Sequence, residues 1–297
     1  MCNKYFIKMS KLNFCIGTAQ FGSKYGIANK KGKTKKNEIK KILNLCKKNN
    51  IYSIDTSKEY KNVEQILGSL NIKDFKIINK IKFGKNDLEN FEKSIENKIK
   101  SSLINLKIDN IHCLMFHNPD DLKKIDENVL KKKLKELKKN KLIKKVGISI
   151  YDFYNLEKLI DLDLFDIIQC PFNIIDQRLQ SNKILKLIKK SKIEIHIRSI
   201  FLQGLLTLHY DEIPTYFYKW KLKFKKWNNF LKKNNINGVE GCINFIKQFE
   251  NFKLCVIGVE DCNQLNELIK INLQNTHYKY PNISSNNRYL INPSFWK

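Results

Sequence analysis

The strongest constraint in the sequence is a rhythm: eight short apolar runs, each followed by a longer stretch in which apolar residues recur at helical spacing. The short runs cover residues 13–17, 51–55, 75–81, 110–116, 145–150, 166–171, 193–199 and 253–258, and they read as buried strands. The amphipathic stretches cover 35–49, 62–70, 87–106, 126–140, 154–162, 181–190, 238–250 and 261–272, and they read as helices. Asp87, Ser181 and Asp261 stand where N-cap oxygens are wanted. A parallel strand is reached from its neighbour only through a crossover, which a helix supplies, so the alternation predicts parallel pairing. Eight such units predict an α/β fold closed as a (β/α)8 TIM barrel. An open doubly wound sheet is the alternative, but it usually needs fewer strands for its length. The first strand-to-helix turn here also lacks a GxGxxG fingerprint.

With 297 residues, the chain could hold one large domain or two ordinary ones. It has 11 Gly, 5 Pro and no tract that would serve as a linker, so a single domain over 1–297 is the simpler reading, with its core at about 12–273. Two segments break the rhythm. Residues 201–237, after the seventh strand, are rich in aromatic side chains (Tyr210, Tyr216, Phe217, Tyr218, Trp220, Phe224, Trp227, Phe230) and read as a lid or wall at the catalytic face. The tail 274–297 is polar and aromatic, and could cover the barrel mouth or pack beneath it.

A net charge of +27 raises the question of nucleic acid, since a basic stripe attracts phosphates. Composition argues against it: of 56 basic residues only Arg178, Arg198 and Arg288 are arginine, and the lysines are spread through almost every segment. The run 131–139 places apolar residues at helical spacing between lysines, as a solvated helix face does. The 8 cysteines (Cys2, Cys15, Cys46, Cys113, Cys170, Cys242, Cys255, Cys262) form no CxxC pair and read as buried free thiols of a reducing cytosol. His112 and Cys113 would point to opposite faces of a strand, so a metal shared with His117 is not expected, and no metal site is predicted. Residues 1–8 lack a signal-peptide apolar core and no uncharged run reaches spanning length, which predicts a cytoplasmic protein without a membrane segment. The oligomeric state is left open.

The chemistry is expected at the C-terminal ends of the strands, where barrel active sites are built. Asp55 ends the second predicted strand, Tyr60 follows on its loop, Lys80 lies near the end of the third and His117 just past the fourth. In a closed barrel these positions adjoin. A lysine beside a phenol favours the phenolate and lowers its pKa, and an aspartate beside that lysine holds it charged and oriented. Tyr60 would then serve as a general acid, protonating a carbonyl oxygen as hydride reaches the carbon, with His117 orienting the same oxygen. Taken singly, each residue has a plain structural reading: a cap, a packed ring, a surface lysine, a turn before Pro119. Their joint placement at successive strand ends is what points to a site.

Gly17-Thr18-Ala19-Gln20-Phe21-Gly22, Asp55-Thr56-Ser57-x-x-Tyr60, Asn79-Lys80 and Phe116-His117-Asn118-Pro119, in this order, resemble the aldo-keto reductases. The resemblance continues through Val146-Gly147-Ile148-Ser149, Gln169-Cys170-Pro171-Phe172-Asn173, Gln203-Gly204-Leu205-Leu206 and Val256-Ile257-Gly258-Val259-Glu260, spanning roughly 12–273. It implies a (β/α)8 barrel that binds NADP(H) without a Rossmann domain, and a small-molecule carbonyl substrate reduced to an alcohol. Tyr60 is implied as proton donor, Lys80 and Asp55 as its tuning pair, and His117 as substrate orienter. Ser149 and Gln169 are implied at the nicotinamide carboxamide, Gly17 and Thr18 at the pocket floor, and Gly258, Val259 and Glu260 around the cofactor at the eighth strand.

Two positions depart from the family pattern. Ile150 stands where many members have Asn, and Arg198 where many stack a tyrosine on the nicotinamide. A guanidinium over an oxidised, cationic ring is repulsive, which would favour NADPH over NADP+ unless Arg198 turns toward a phosphate or an anionic substrate. NADPH is the family expectation. NADH or dual use is the reading on charge grounds, because Glu260-Asp261 stand near the usual 2′-phosphate position. Arg198, Gln203 and Asn173 would suit a sugar-like or acidic carbonyl compound. The stretch Arg198-Ser199-Ile200-Phe201-Leu202-Gln203-Gly204 is similar to a bacterial subgroup, consistent with modifying sugars for surface polysaccharide. A cofactor-binding regulatory or partner subunit with little turnover is the alternative on the same barrel.

Overall fold

The computed structural model describes residues 11–296; Cys2 and the segment 1–8 read above lie outside the described residues. The strands are β1 (Phe14–Gly17), β2 (Ser53–Ser57), β3 (Lys76–Ile81), β4 (Ile111–Phe116), β5 (Ile143–Ser149), β6 (Ile167–Pro171), β7 (Glu194–Arg198) and β8 (Leu254–Gly258). They pair in parallel, each with the next, and close as a single (β/α)8 barrel. Closure sets Cys15 opposite Val256 and Gly17 opposite Gly258.

Alternation along each strand sorts the side chains into two environments. Inside the ring, Cys15, Ile78, Cys113, Met115 and Ile167 form a small cluster. Outside it, Ile16, Ile54, Ile77, Leu114, Val146, Ile168, Ile197 and Ile257 meet the helices through Ile39, Ile42, Leu67, Ile95, Leu134 and Leu159. A fully buried aliphatic side chain gains roughly 1.5–3 kcal/mol over an exposed one. The outer layer is far the larger, so it carries most of the stability and leaves the inside of the barrel's C-terminal end free for polar groups. Gly147 is part of the inner fit, since a Cβ there would lie 3.0 Å from both Cys113 Sγ and Met115 Cε.

Of the elements whose bounds differ from the sequence reading, two change the place of a singled-out residue. β2 runs over Ser53–Ser57 rather than 51–55, so Asp55 sits in mid-strand. The Ile51 N–H still donates to Cys46 O of the preceding helix at 2.9 Å, while the polar Thr56 and Ser57 keep the ladder, opposite Asn79 and Lys80. The predicted helix 87–106 is two helices, Lys85–Glu89 and Phe91–Leu106, broken at Asn90. Asp87 is therefore not an N-cap; from inside the first helix its carboxylate accepts from the Gly84 N–H at 2.8 Å and pairs with Lys98 at 3.1 Å. Ser181 and Asp261 do cap, accepting from the Ile184 and Gln264 N–H groups.

The segment after β7 coils through short 3-10 turns into the helix Lys221–Asn234. Its aromatic residues pack mainly on each other, on the helix Gly238–Ile246 and on the tail. Trp227 Nε1 donates to Leu206 O at 2.9 Å and its ring stacks on Phe230, with centroids 5.4 Å apart. The Tyr216 hydroxyl reaches Tyr289 O and Phe295 O at 2.9 and 3.2 Å, and Phe217 meets Trp296 edge to face. Among the described residues, no helix is long and apolar enough to cross a membrane. All 7 cysteines of the described residues are free thiols, most of them buried.

Candidate active site

A cavity of about 380 Å³ opens at the C-terminal ends of the strands, running from Tyr60 and His117 across the β1–β8 seam to Glu260, Gln264 and Glu267. At one end, Lys80 on β3 ion-pairs with Asp55 on β2, both almost fully buried. The Lys80 Nζ lies 5.9 Å from the centre of the Tyr60 ring. Tyr60 is placed by the turn after β2, its N–H bonded to Ser57 O at 3.0 Å. His117 follows β4 directly, its N–H bonded to Ile81 O at 3.0 Å. Asp55, Tyr60, Lys80 and His117 all line the cavity.

Burial and charge set the protonation states here. For Lys80, burial opposes the charge, but the fields of Asp55 and Tyr60 together with the Asp55 hydrogen bond outweigh it and raise the pKa. Tyr60 is also raised: burial is the largest influence, and the Lys80 cation pulls the other way without overcoming it. The phenol therefore keeps its proton at neutral pH, and the lowering expected from the Lys80 neighbour is outweighed by desolvation. His117 is pushed down to about 4, first by burial and then by the charges of Lys80 and Arg198, so its imidazole is neutral at pH 7. Its Nδ1 is buried without a partner among the described residues.

Gln169 is fully buried behind the lining, opposite Ser149 in the β5–β6 register. Its Nε2 donates to Asp55 Oδ2 at 2.8 Å, joining β6 to β2 across the barrel, and its Oε1 has no partner among the described residues. Ser149 lines the cavity. Arg198, at the end of β7, stands over the Tyr151 ring, with its Cζ 4.0 Å from the centroid. It donates to Ile150 O at 3.0 Å and to Ser199 Oγ at 3.2 Å. The chain then turns tightly: Ser199, Leu202 and Gln203 have φ of 59, 48 and 54°, a region that non-glycine residues enter at a cost of about 1 kcal/mol each. The Gln203 carbonyl accepts from the Ile27 N–H at 2.8 Å, which ties this turn to the loop after β1.

At the other end, Gly17 and Gly258 face each other on β1 and β8. A Cβ on Gly258 would lie 2.6 Å from Gln20 Nε2, so this floor has no room for side chains. Thr18 is fully buried and donates to Thr56 Oγ1 at 2.9 Å while also lining the cavity. Val259 and Glu260 line the same end, and the Glu260 N–H donates to Gln264 Oε1 at 2.8 Å. Asp261 is taken up by Lys31 and by capping the helix Cys262–Leu273. Glu260 has no lysine or arginine at ion-pairing distance among the described residues; burial raises its pKa, with Lys31 opposing.

Several lining residues have no counterpart in the sequence reading of the site: Tyr25, Asn29, Tyr151, Gln264 and Glu267. Tyr151 stands two residues after Ser149, and only the strand's exact end decides that its ring meets Arg198. The converse holds for the aromatic segment. Phe201, Gln203, Gly204 and Thr207 line the cavity, whereas Tyr210, Tyr216, Phe217, Tyr218, Trp220, Phe224, Trp227 and Phe230 do not, so the expected aromatic wall is a clasp on the tail instead. Among the described residues, no group of three His, Cys, Asp or Glu could hold a metal ion.

The cavity is elongated, with Tyr60 at one end and the residues after β8 at the other. Among solved structures, the glycerol dehydrogenase of Gluconobacter oxydans superposes with a TM-score of 0.69 at 17% identity, covering 89% of this chain and 88% of that one. The holo form of an aldo-keto reductase from Bacillus halodurans superposes with a TM-score of 0.67 at 16% identity, covering 90% and 88%. At such identities the likeness is one of fold. No curated protein sequence matches the chain. The sequence profile of the Aldo/keto reductase family, however, matches residues 13–287, nearly the whole barrel and its tail, and the chain belongs to that family.

Proposed function

We propose that the protein reduces an aldehyde or ketone to an alcohol, with a reduced nicotinamide dinucleotide as hydride source and Tyr60 as general acid. The observation that carries this reading is the convergence of Tyr60, the buried Lys80–Asp55 pair and a neutral His117 on one cavity. A nicotinamide cofactor fits the residues present. The Oε1 of Gln169, without a partner among the described residues and beside Ser149, matches a carboxamide that needs an acceptor. The bound cofactor would supply the hydride.

The chain's own residues supply the proton and its control. Tyr60 donates its phenolic proton to the carbonyl oxygen as negative charge develops there. The Lys80 cation, kept charged by Asp55, stabilises the phenolate that remains, and solvent returns the proton. His117, being neutral, donates one hydrogen bond to the same oxygen without adding a charge. Asp55 cannot take the acid role, because its oxygens are engaged by Lys80 and Gln169.

Cofactor choice follows from the far end. The family expectation is NADPH, but Glu260 and Glu267 line that end, and a carboxylate accepts a ribose hydroxyl while repelling a 2′-phosphate. This supports use of NADH alongside or ahead of NADPH. The test follows NADH and NADPH absorbance in parallel against a panel of aldehydes, ketones and sugar carbonyls, with Tyr60→Phe as control. Turnover that collapses in that variant while either cofactor still binds is the expected result. Binding with no turnover on any carbonyl would replace the reductase reading with a regulatory one.

A further inference from the structure

Arg198 is a half-buried cation that lines the cavity at the Tyr60 end. Among the described residues, no carboxylate lies within ion-pairing distance of its guanidinium; its partners are the Ile150 carbonyl and the Ser199 hydroxyl. The nearby acids are spent elsewhere. Asp55 is held by Lys80 and Gln169, and Asp176 is held by Arg178 at 2.8 Å with no exposed side chain. The Lys80–Asp55 pair is neutral as a unit and His117 is uncharged, so Arg198 leaves this end with one uncompensated positive charge. Taking a guanidinium partly out of water without a partner costs stability, and proteins keep such a group where a ligand supplies the anion. The side chain is also held in place: its Cζ stands 4.0 Å from the centre of the Tyr151 ring, and its N–H groups donate to Ile150 O and Ser199 Oγ. From the end of β7 it lines the same cavity as Tyr60, Lys80 and His117.

From this unpaired, ring-mounted guanidinium we infer that the substrate is an anionic carbonyl compound, an aldehyde or ketone that carries a carboxylate received by Arg198 while its carbonyl faces Tyr60. The inference deepens the reductase reading and rests on it for the carbonyl. The rival source of the anion is the cofactor's own phosphate, and the measurements separate the two.

The experiment compares pentanal with 5-oxopentanoate, which differ only in the remote carboxylate, using wild type, Arg198→Gln and Arg198→Lys. In parallel, glutarate is titrated onto the protein–NADPH complex by fluorescence, with glutaramide as the neutral control. The expected kcat/KM ratio favours 5-oxopentanoate by about tenfold or more in wild type, the scale of a charge-assisted hydrogen bond. Arg198→Gln brings the ratio toward one, and Arg198→Lys restores part of it. Glutarate binds the wild-type complex, loses about tenfold or more of its affinity in Arg198→Gln, and glutaramide is indifferent to the change. A wild-type ratio near one, or a ratio untouched by Arg198→Gln, overturns the inference while leaving carbonyl reduction intact. A loss of NADPH affinity in Arg198→Gln as large as the loss on 5-oxopentanoate, with no change in the ratio, assigns the residue to the cofactor's phosphate and overturns it too. Should neither aldehyde be reduced, glutarate still decides: Arg198-dependent binding upholds the anion site and leaves carbonyl reduction to the wider panel, and binding that ignores Arg198 overturns the inference.

Discussion

The two ends of the cavity are built from the same barrel mouth but carry opposite charge. At the reactive end, the acid is consumed by a buried lysine and a second cation, Arg198, is left over. At the β8 end it is the exposed Lys31 that is consumed, by Asp261, and the carboxylate of Glu260 that is left over. Both ion pairs involve one lysine and one aspartate, yet they differ in what surrounds them. Lys80 and Asp55 have 5% of their side chains exposed, whereas Lys31 has 65%. A pair in water contributes little, while a pair in the interior cannot lose one member cheaply. The reactive end is thus held in a fixed charge state by the fold, and the β8 end is a surface whose charge can be changed without cost to the barrel.

This contrast fixes the order of the expected effects. On the proposed mechanism Tyr60→Phe removes the proton donor, so kcat is expected to fall by about 10²–10⁴-fold, and retained quenching of protein fluorescence by NADPH would show that the loss is chemical. Lys80→Met strands the Asp55 carboxylate in the interior and lowers stability by about 3–5 kcal/mol in a denaturant titration. The same change at Lys31 leaves the denaturation midpoint unmoved; equal losses at the two sites would erase the distinction between them. Glu260→Gln tightens NADPH relative to NADH severalfold, read as the ratio of two dissociation constants, and an unaltered ratio removes Glu260 from cofactor choice. The smallest effect is a titration. NMR should place His117 at about 4, and Arg198→Gln should move it upward, though still below 6.5, because burial is the larger cause. The sign for stability follows: with a folded value near 4 and an unfolded value of 6.5, the unfolded chain takes the proton first. His117 therefore costs stability progressively as pH falls from about 6.5 toward 4, and nothing above that window.

The barrel was legible because its evidence is repeated eight times, and an error at one boundary leaves the alternation intact. β2 shows how such an error arises. Thr56 and Ser57 look like loop residues, but in a barrel the polar end of a strand is buried under the site, and hydrophobicity alone closes the strand two residues early. The positions of Asp55, Tyr60, Lys80 and His117 around one cavity were readable from strand ends, since neighbouring ends must adjoin. Their electrostatics were not. A lysine beside a phenol predicts a lowered pKa, and only the depth of burial, which no spacing records, reverses it. Contacts between distant segments were equally hidden, among them Gln169 with Asp55 across the ring and Arg198 on Tyr151. So was the destination of the aromatic segment 201–237: its rings are suited to a ligand wall and to a tail clasp alike, and the choice lies in the path of residues 274–296.

The closure of β1 onto β8 has one more effect, on how copies of the chain meet. A strand at the margin of an open sheet offers unpaired amides to any other chain, and a sequence this rich in isoleucine and phenylalanine would extend that sheet readily into an aggregate. In the ring every strand already has a neighbour on each side, so the barrel has no margin. What the molecule shows outward is chiefly its helices, and with 56 basic residues against 29 acidic ones those surfaces repel their like.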